Sequence, residues 1–235
     1  MIDIHTHILP GIDDGARTLL ESVEIVRGLY QQGVTDIVAT PHYIEETIYA
    51  SPRANNLNLI LELRQRLMFE GIKVKIYLGN EIYINRRIVD LIKEKKISTL
   101  ANSKYLLVEL PMNEEYPDYE DFLKDLMDHG YKVILAHPER YTIVQQDYGV
   151  IQELFEMGVL LQCNIGSVIG KYSKDAQKVV KRLIKDKMIF TFSSDIHRPG
   201  GIEKFALAKK KLSKYYNRSE LEQLLVKNPS QILSK

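Results

Sequence analysis

Short β-rich runs alternate with longer amphipathic stretches along most of the chain, and this alternation constrains the fold more than any other feature of the sequence. The pattern is typical of βα units around a parallel sheet. It therefore predicts an α/β fold, a closed or nearly closed β/α barrel, with a doubly wound open sheet as the alternative. The predicted strands are residues 2–7, 36–40, 73–78, 105–109, 132–136, 160–164 and 188–193.

The amphipathic stretches predict helices between these strands and two more after the last one. Several helices end in a glycine just before the next strand, as at Gly33 and Gly71, where a helix C-cap often needs left-handed backbone. No linker or repeat interrupts the sequence, so we predict a single domain over residues 1–235. The predicted helices lie near residues 19–32, 53–70, 86–94, 119–129, 149–157, 174–187, 203–215 and 219–226.

Composition narrows the class of protein. A net charge of +1 is too small to recruit nucleic acid or an anionic membrane. A single cysteine, Cys163, excludes an internal disulfide and suits a reducing compartment. The first residues lack a signal-peptide pattern, and no apolar run approaches the ~20 residues of a membrane span. We therefore expect a cytoplasmic protein with no nucleic-acid partner and no direct membrane insertion.

The first predicted strand ends in Asp3-Ile4-His5-Thr6-His7. In barrels of parallel strands, functional residues gather where the strands end, and alternate residues share a face. His5 and His7 therefore point together into the barrel mouth, with Asp3 one step deeper. Paired imidazoles are good ligands for a divalent ion, whereas rings buried for packing alone would each need a hydrogen-bond partner. The pair predicts a metal site.

A turn with two carboxylates follows at Gly11-Ile12-Asp13-Asp14-Gly15. An Asp-Gly turn is ordinary by itself, but beside the histidine pair one carboxylate becomes a candidate ligand. Asp14 is the preferred ligand and Asp13 is the alternative.

Other strand ends carry further imidazoles and carboxylates. Glu109 lies within an apolar strand, where a buried carboxylate has to be paired or metal-bound. The set exceeds the three protein ligands of a mononuclear zinc enzyme, so it predicts two or three ions that activate water against a phosphate ester. The predicted metal ligands are His5, His7, Asp14, His42, Glu81, Glu109, His137, Asp195 and His197.

Two arginines follow these motifs. Arg140 is a candidate to hold phosphate oxygens with its fork of donors, and Arg198 is a second candidate. A surface salt bridge is the alternative for each. Thiol-based tyrosine phosphatases place an arginine six positions after their cysteine, and no arginine follows Cys163 at that spacing. Cys163 is therefore predicted to be a core residue, and we expect metal ions to supply the attacking water instead.

The ordered set of motifs resembles the polymerase and histidinol phosphatase (PHP) family, and within it the bacterial tyrosine-protein phosphatase branch. The resemblance spans essentially the whole chain. The motifs that carry it are His5-Thr6-His7, Asp13-Asp14-Gly15, His42, Gly79-Asn80-Glu81-Ile82-Tyr83, Glu109, His137-Pro138-Glu139-Arg140-Tyr141 and Asp195-Ile196-His197.

The resemblance implies a distorted (β/α)7 barrel with three metal ions, manganese most commonly, with iron or zinc as alternatives. It implies that the nine ligands hold these ions and that Arg140 binds phosphate. It also implies hydrolysis of phosphotyrosine on a protein such as a cognate tyrosine kinase tail, in the control of capsular or exopolysaccharide synthesis. Related enzymes tend to place another arginine a few residues beyond the final Asp-x-His, whereas Arg198 directly follows His197.

The proposed catalytic residues are Arg140, His42 and Arg198. The tyrosine phenol has a pKa of ~10, so its phenolate is a good leaving group, and His42 or a metal-bound water would assist its departure. The alternatives are a small-molecule phosphatase such as histidinol phosphatase, a metal-dependent nuclease or amidohydrolase, and a scaffold that binds a phosphorylated tail without cleaving it. The near-neutral charge disfavours the nuclease. An acidic stretch at residues 114–121 is interpreted as carboxylates near a helix start, with peptide selection as the alternative.

Overall fold

The computed structural model describes residues 1–113 and 117–234. Its strands are β1 (Ile2–Thr6), β2 (Asp36–Ala39), β3 (His42–Tyr43), β4 (Lys75–Leu78), β5 (Glu81–Tyr83), β6 (Tyr105–Glu109), β7 (Lys132–Ala136), β8 (Leu160–Asn164) and β9 (Ile189–Ser193). Its α-helices are α1 (Leu19–Gln31), α2 (Arg53–Phe69), α3 (Ile88–Lys93), α4 (Tyr119–Asp128), α5 (Thr142–Gln146), α6 (Gly149–Glu156), α7 (Lys174–Lys185), α8 (Ile202–Leu212), α9 (Arg218–Glu222) and α10 (Asn228–Leu233).

The strands form two parallel sheets that share one barrel wall. One sheet has the order β1-β2-β4, and the other has the order β3-β5-β6-β7-β8-β9. The second sheet returns to β1, because the backbone N–H of His7 donates to Ile196 O at 3.1 Å and that of Asp195 donates to His5 O at 3.0 Å. The predicted distorted barrel is confirmed, and the open doubly wound sheet is wrong.

The predicted strands 36–40 and 73–78 are each followed by a break and then by a further short strand that was not predicted. Thr40-Pro41 separates β2 from β3, and Gly79-Asn80 separates β4 from β5. The Asn80 side chain joins the two breaks, since its Nδ2 donates to Pro41 O at 3.1 Å. A Cβ on Gly79 would lie 2.7 Å from Leu100 Cδ2, so the close approach of Leu100 requires glycine there. The upper segments β3 and β5 carry His42 and Glu81 into the barrel mouth.

The barrel interior is a small apolar core distinct from the larger core between the strands and the surrounding helices. Val38, Leu107 and Ile134 fill the interior below the polar mouth. Ile232 of α10 joins this inner core, so α10 packs at the amino-terminal end of the strands. Apolar packing at the amino-terminal ends of the strands thus supports the polar side chains at their carboxyl ends.

The helices agree closely with the predicted ones, except that α5 was not predicted and that the chain differs near its C-terminus. The predicted helix over 219–226 is divided, because α9 runs into a wider π-helical turn at Gln223–Lys227 before α10 begins. Pro229 in the first turn of α10 is compatible with a helix start. Glu120 and Asp121 lie in the first turn of α4, while 114–116 lie outside the described residues. Within the described ranges, no helix has both the length and the apolar character that a bilayer crossing needs.

Candidate metal centre

His5 and His7 lie side by side at the end of β1 and are fully buried. The Nδ1 of His5 hydrogen-bonds Gln162 Oε1 at 2.8 Å, and the Nδ1 of His7 hydrogen-bonds Asp13 Oδ2 at 2.8 Å. Because each Nδ1–H is donated to an oxygen, the lone pair of each Nε2 faces the barrel mouth. The two Nε2 atoms are 3.2 Å apart, an arrangement that suits ligands sharing a cationic centre.

Glu81 lies at the centre of the imidazoles. Its Oε2 is 3.1 Å from His5 Nε2, 3.2 Å from His7 Nε2 and 3.0 Å from His42 Nδ1. Its Oε1 is 2.9 Å from His137 Nε2. Burial acts to raise the pKa of Glu81, but the neighbouring histidines hold that pKa well below its usual range. Glu81 is therefore an ionised carboxylate among four imidazoles and would help to hold divalent ions.

Glu109 lies in the same pocket, but its pKa is shifted in the opposite direction to that of Glu81. Its two oxygens are 3.6 Å from His42 Nδ1 and 3.6 Å from His137 Nε2. Burial, together with the charges of Glu81 and Asp195, raises the pKa of Glu109 to about 9. The protein alone therefore leaves excess negative charge around Glu109, which bound cations would neutralise.

Asp195 presents its two oxygens to different surroundings. Oδ1 is 3.5 Å from the Nε2 atoms of His5 and His7 and 3.5 Å from His197 Nδ1. Oδ2 accepts hydrogen bonds from Asn164 Nδ2 at 2.6 Å, Arg140 Nη1 at 3.0 Å and the Tyr172 hydroxyl at 3.4 Å. Oδ1 is thus the oxygen available to a metal ion.

The two carboxylates of the acidic turn have different partners. Asp14 Oδ1 is 3.3 Å from His197 Nε2 and 3.5 Å from His42 Nε2. The hydrogen bond with His197 lowers the pKa of Asp14 to about 2. Asp13 instead supports His7 and accepts the backbone N–H of His42 at 3.1 Å. This geometry favours Asp14 over Asp13 as a ligand.

The structure brings all nine predicted ligands into one pocket. Three groups have ligand atoms close enough to share an ion: His7, Asp14, His42 and His197; His5, His7 and Glu81; and His42, Glu81 and Glu109. Glu81 Oε2, His42 Nδ1 and His137 Nδ1 are buried without hydrogen-bond partners. Buried polar atoms are normally paired, so orphaned atoms among nitrogen and oxygen donors fit divalent ions. We call His5, His7, Glu81, Glu109, His137 and Asp195 the floor of the pocket, and Asp14, His42 and His197 its rim.

The two arginines lie in different environments. Arg140 follows β7 in a short turn, contacts Asp195 and lies with its Cζ 4.6 Å from the centroid of the Tyr172 ring. Arg198 donates from Nη1 to Glu21 Oε2 of α1 at 3.1 Å. The salt-bridge alternative therefore describes Arg198, while Arg140 faces the pocket.

Two floor residues have unusual backbone conformations. His137 has φ +34° and Asp195 has φ +47°, both in the left-handed region although neither is glycine. Six other described non-glycine residues, all outside the pocket, also have positive φ. The conformation therefore orients these two side chains but does not by itself identify the site.

Gln162 and Asn164 on β8 belong to the site but were absent from the predicted set. Gln162 Nε2 donates to Asn164 Oδ1 at 3.0 Å, so the two amides connect His5 to Asp195. Both are fully buried and flank Cys163, which is buried as predicted. Two alternating amides within an apolar strand are a signal that could have identified them.

The sequence is similar to a family model and to several known proteins. The chain matches the model for capsular polysaccharide synthesis proteins, CpsB/CapC, over residues 1–234. CapC of Staphylococcus aureus is 34% identical over 100% of this chain and 91% of its own length. Tyrosine-protein phosphatase YwqE of Bacillus subtilis is 33% identical over 84% of this chain and 77% of its own.

A solved structure extends the similarity to three dimensions. It belongs to a study of YwqE from Bacillus subtilis and CpsB from Streptococcus pneumoniae, which are described as metal-dependent tyrosine phosphatases. The match has a TM-score of 0.91 and 31% sequence identity, and it covers 99% of this chain and 94% of that one. Histidinol phosphate phosphatase from Lactococcus lactis shares the barrel fold, with a TM-score of 0.56 at 14% identity over 91% of this chain and 93% of its own. The fold is thus a barrel of the PHP type, and the predicted resemblance is confirmed. The chain belongs to the CpsB/CapC family.

Proposed function

We propose that this protein is a metal-dependent protein-tyrosine phosphatase acting in capsular or exopolysaccharide synthesis. The observation that carries the proposal is the placement of Glu81, within 3.2 Å of ring nitrogens from four histidines. A buried carboxylate in that position links several metal-binding groups, as phosphate-ester hydrolysis with close-set ions requires. The metal-dependent tyrosine phosphatases among its relatives support the same reaction.

The nine floor and rim residues are the proposed ligands of three divalent ions, with manganese favoured and iron or zinc as alternatives. Imidazole and carboxylate donors together suit such borderline ions. When bound, the ions activate water for attack on phosphorus and neutralise charge on the phosphoryl oxygens. The whole of 1–235 is proposed to form one PHP domain.

The remaining chemistry belongs to side chains of this chain. Arg140 is held by Asp195 and by the face of Tyr172, so its guanidinium is oriented before a phosphoryl group arrives. Its donors would bind the oxygens on which charge develops. Both ring nitrogens of His42 face carboxylates, and burial lowers the pKa of His42, so the neutral imidazole is better suited to metal binding than to protonating the phenolate.

The proposed substrate is a phosphotyrosine-bearing protein, with the tail of a cognate tyrosine kinase as the physiological partner, and the proposed location is the cytoplasm. Phenolate leaves more readily than an alkoxide because the phenol pKa is ~10. The rim side chains Asp14 and His197 are 51% and 27% exposed, so a phosphorylated side chain on a protein could reach this side of the proposed site.

The test compares turnover of a phosphotyrosine peptide with turnover of histidinol phosphate by protein loaded with manganese. We expect faster turnover of the peptide, loss of activity with a chelator, and loss in His7→Ala and Arg140→Ala variants that remain folded. Faster hydrolysis of histidinol phosphate would support the small-molecule alternative. Full activity after verified metal removal would contradict the proposal.

A further inference from the structure

Lys171 is a second cation beside Arg140. It follows β8 and the short 3-10 helix Ile165–Ile169. Its Nζ lies 4.7 Å from the centroid of the Tyr172 ring, and Arg140 Cζ lies 4.6 Å from the same centroid. Cations at such distances from an aromatic ring are attracted by its quadrupole. One tyrosine therefore holds two positive side chains.

Hydrogen bonds connect Lys171 to the floor of the pocket. Its Nζ donates to the Tyr172 hydroxyl at 3.1 Å, and that hydroxyl donates to Asp195 Oδ2 at 3.4 Å. One hydroxyl group thus separates the ammonium from a proposed metal ligand. This places the positive charge of Lys171 within the electrostatic environment of the pocket.

The stem of Lys171 is held in place by Gly166. The Lys171 backbone N–H donates to Gly166 O at 3.1 Å, and a Cβ on Gly166 would lie 2.7 Å from Lys171 Cδ. A side chain there would displace the lysine. Within the described part of the chain, the hydrogen bond of Nζ goes to a hydroxyl rather than to a carboxylate, so its charge remains available for an anion.

In its present position, Arg198 is not available to bind an anion in the pocket. It is paired with Glu21 on α1, whereas Lys171 and Arg140 share one tyrosine. A phosphoryl group carries oxygens that accept from more than one donor, and a lysine ammonium is a common phosphate-binding point charge. We propose that Lys171 binds the phosphoryl group of the substrate together with Arg140. This inference rests on the proposed function and adds a binding residue to the same site.

The experiment measures the dissociation constant of inorganic phosphate by calorimetry on protein loaded with manganese, with metal content and melting temperature recorded for each variant. We expect Lys171→Met to weaken phosphate binding by about tenfold, the loss of one charged hydrogen bond, and Lys171→Arg to retain most of the affinity. Lys178→Met is the matched control, because Lys178 is exposed on α7 and pairs with Asp175. Lys171→Gln replaces the methionine variant if the latter does not fold.

Tyr172→Phe separates direct binding from a structural role, because it keeps the ring and removes the hydroxyl. We expect a smaller loss than in Lys171→Met. Equal losses in the two variants, wild-type affinity in Lys171→Met, or no phosphate binding by the wild type at millimolar phosphate would each overturn the inference. Peptide turnover by the wild type is measured separately. If the wild type hydrolyses the peptide but Lys171→Met binds phosphate as tightly as the wild type, only the role of Lys171 is rejected. If Lys171→Met binds phosphate more weakly but the wild type does not hydrolyse the peptide, only the proposed tyrosine phosphatase activity is rejected.

Discussion

The floor and the rim of the pocket use the same kinds of side chain in different solvent environments. The floor carboxylates Glu81 and Asp195 have side chains that are 1% and 2% exposed, whereas the rim carboxylate Asp14 is 51% exposed. Water and salt screen charges at the rim, but a buried charge has to be balanced by its immediate neighbours. The floor therefore depends on bound cations for its electrostatic balance, and the rim adjusts how tightly they are held.

The largest difference should come from the centre of the floor. Glu81→Gln keeps the shape of the side chain but removes the charge shared by four imidazoles, so we expect loss of bound metal and a fall of about 10³-fold in kcat/KM, or about 4 kcal/mol. Elemental analysis and peptide turnover measure the two effects. Glu24→Gln, at an exposed position on α1, is the control and should leave both unchanged. A fully active Glu81→Gln enzyme would remove the distinction between floor and rim.

A matched change at the rim should be milder. Asp14→Asn removes a half-exposed carboxylate, whose interactions with His42 and His197 are partly screened by water. We expect metal affinity to weaken by about tenfold, with activity restored at saturating manganese. Titrating activity with manganese tests this expectation. A loss as large as that of Glu81→Gln, and not restored by metal, would show that the rim is as essential as the floor.

The pH dependence of stability should report on the floor in metal-free protein. Glu109 has its pKa raised to about 9, so the folded state keeps a proton that the unfolded chain releases with a pKa of ~4.3. Stabilisation from protonated Glu109 is complete below the unfolded pKa and is lost as pH rises through the folded pKa. Melting curves should show wild type losing on the order of 5 °C more than Glu109→Gln between about pH 6 and pH 8. Parallel melting profiles for the two proteins would contradict this assignment.

The smallest effect should come from Arg198. Its partner Glu21 belongs to α1 rather than to the pocket, and ion pairs that solvent partly screens contribute little. We expect Arg198→Ala to keep kcat/KM for a phosphotyrosine peptide within about twofold of wild type. A tenfold rise in KM would instead show that Arg198 leaves Glu21 to bind substrate.

Much of the fold and the site could be predicted because the relevant signals are local. His5 and His7 share a face through the two-residue period of a strand, and parallel strands bring their ends to one edge. The predicted ligands consequently converge, although they come from residues 5 to 197. The apolar periodicity of helices such as α1 and α7 likewise predicted their positions to within a few residues.

The features that escaped prediction depend on contacts between distant residues. The paired breaks at Thr40-Pro41 and Gly79-Asn80 are stabilised by each other and by the close approach of Leu100. A salt bridge was the stated alternative for Arg198, but its partner Glu21 is 177 residues away and was not predicted. Gln162 is likewise 157 residues from His5. Residue type and spacing do not determine which of several possible partners such side chains choose.

The amides of Gln162 and Asn164 connect two sides of the pocket in a single direction. An amide accepts through oxygen and donates through nitrogen. Because the Nδ1–H of His5 donates to Gln162 Oε1, Gln162 Nε2 donates to Asn164 Oδ1, and Asn164 Nδ2 donates to Asp195 Oδ2. Flipping the Gln162 amide would place its N–H2 group against the N–H of His5 and its oxygen against the oxygen of Asn164, so both hydrogen bonds would be lost. Substitutions along this wall should therefore be tolerated in evolution only when both positions change together.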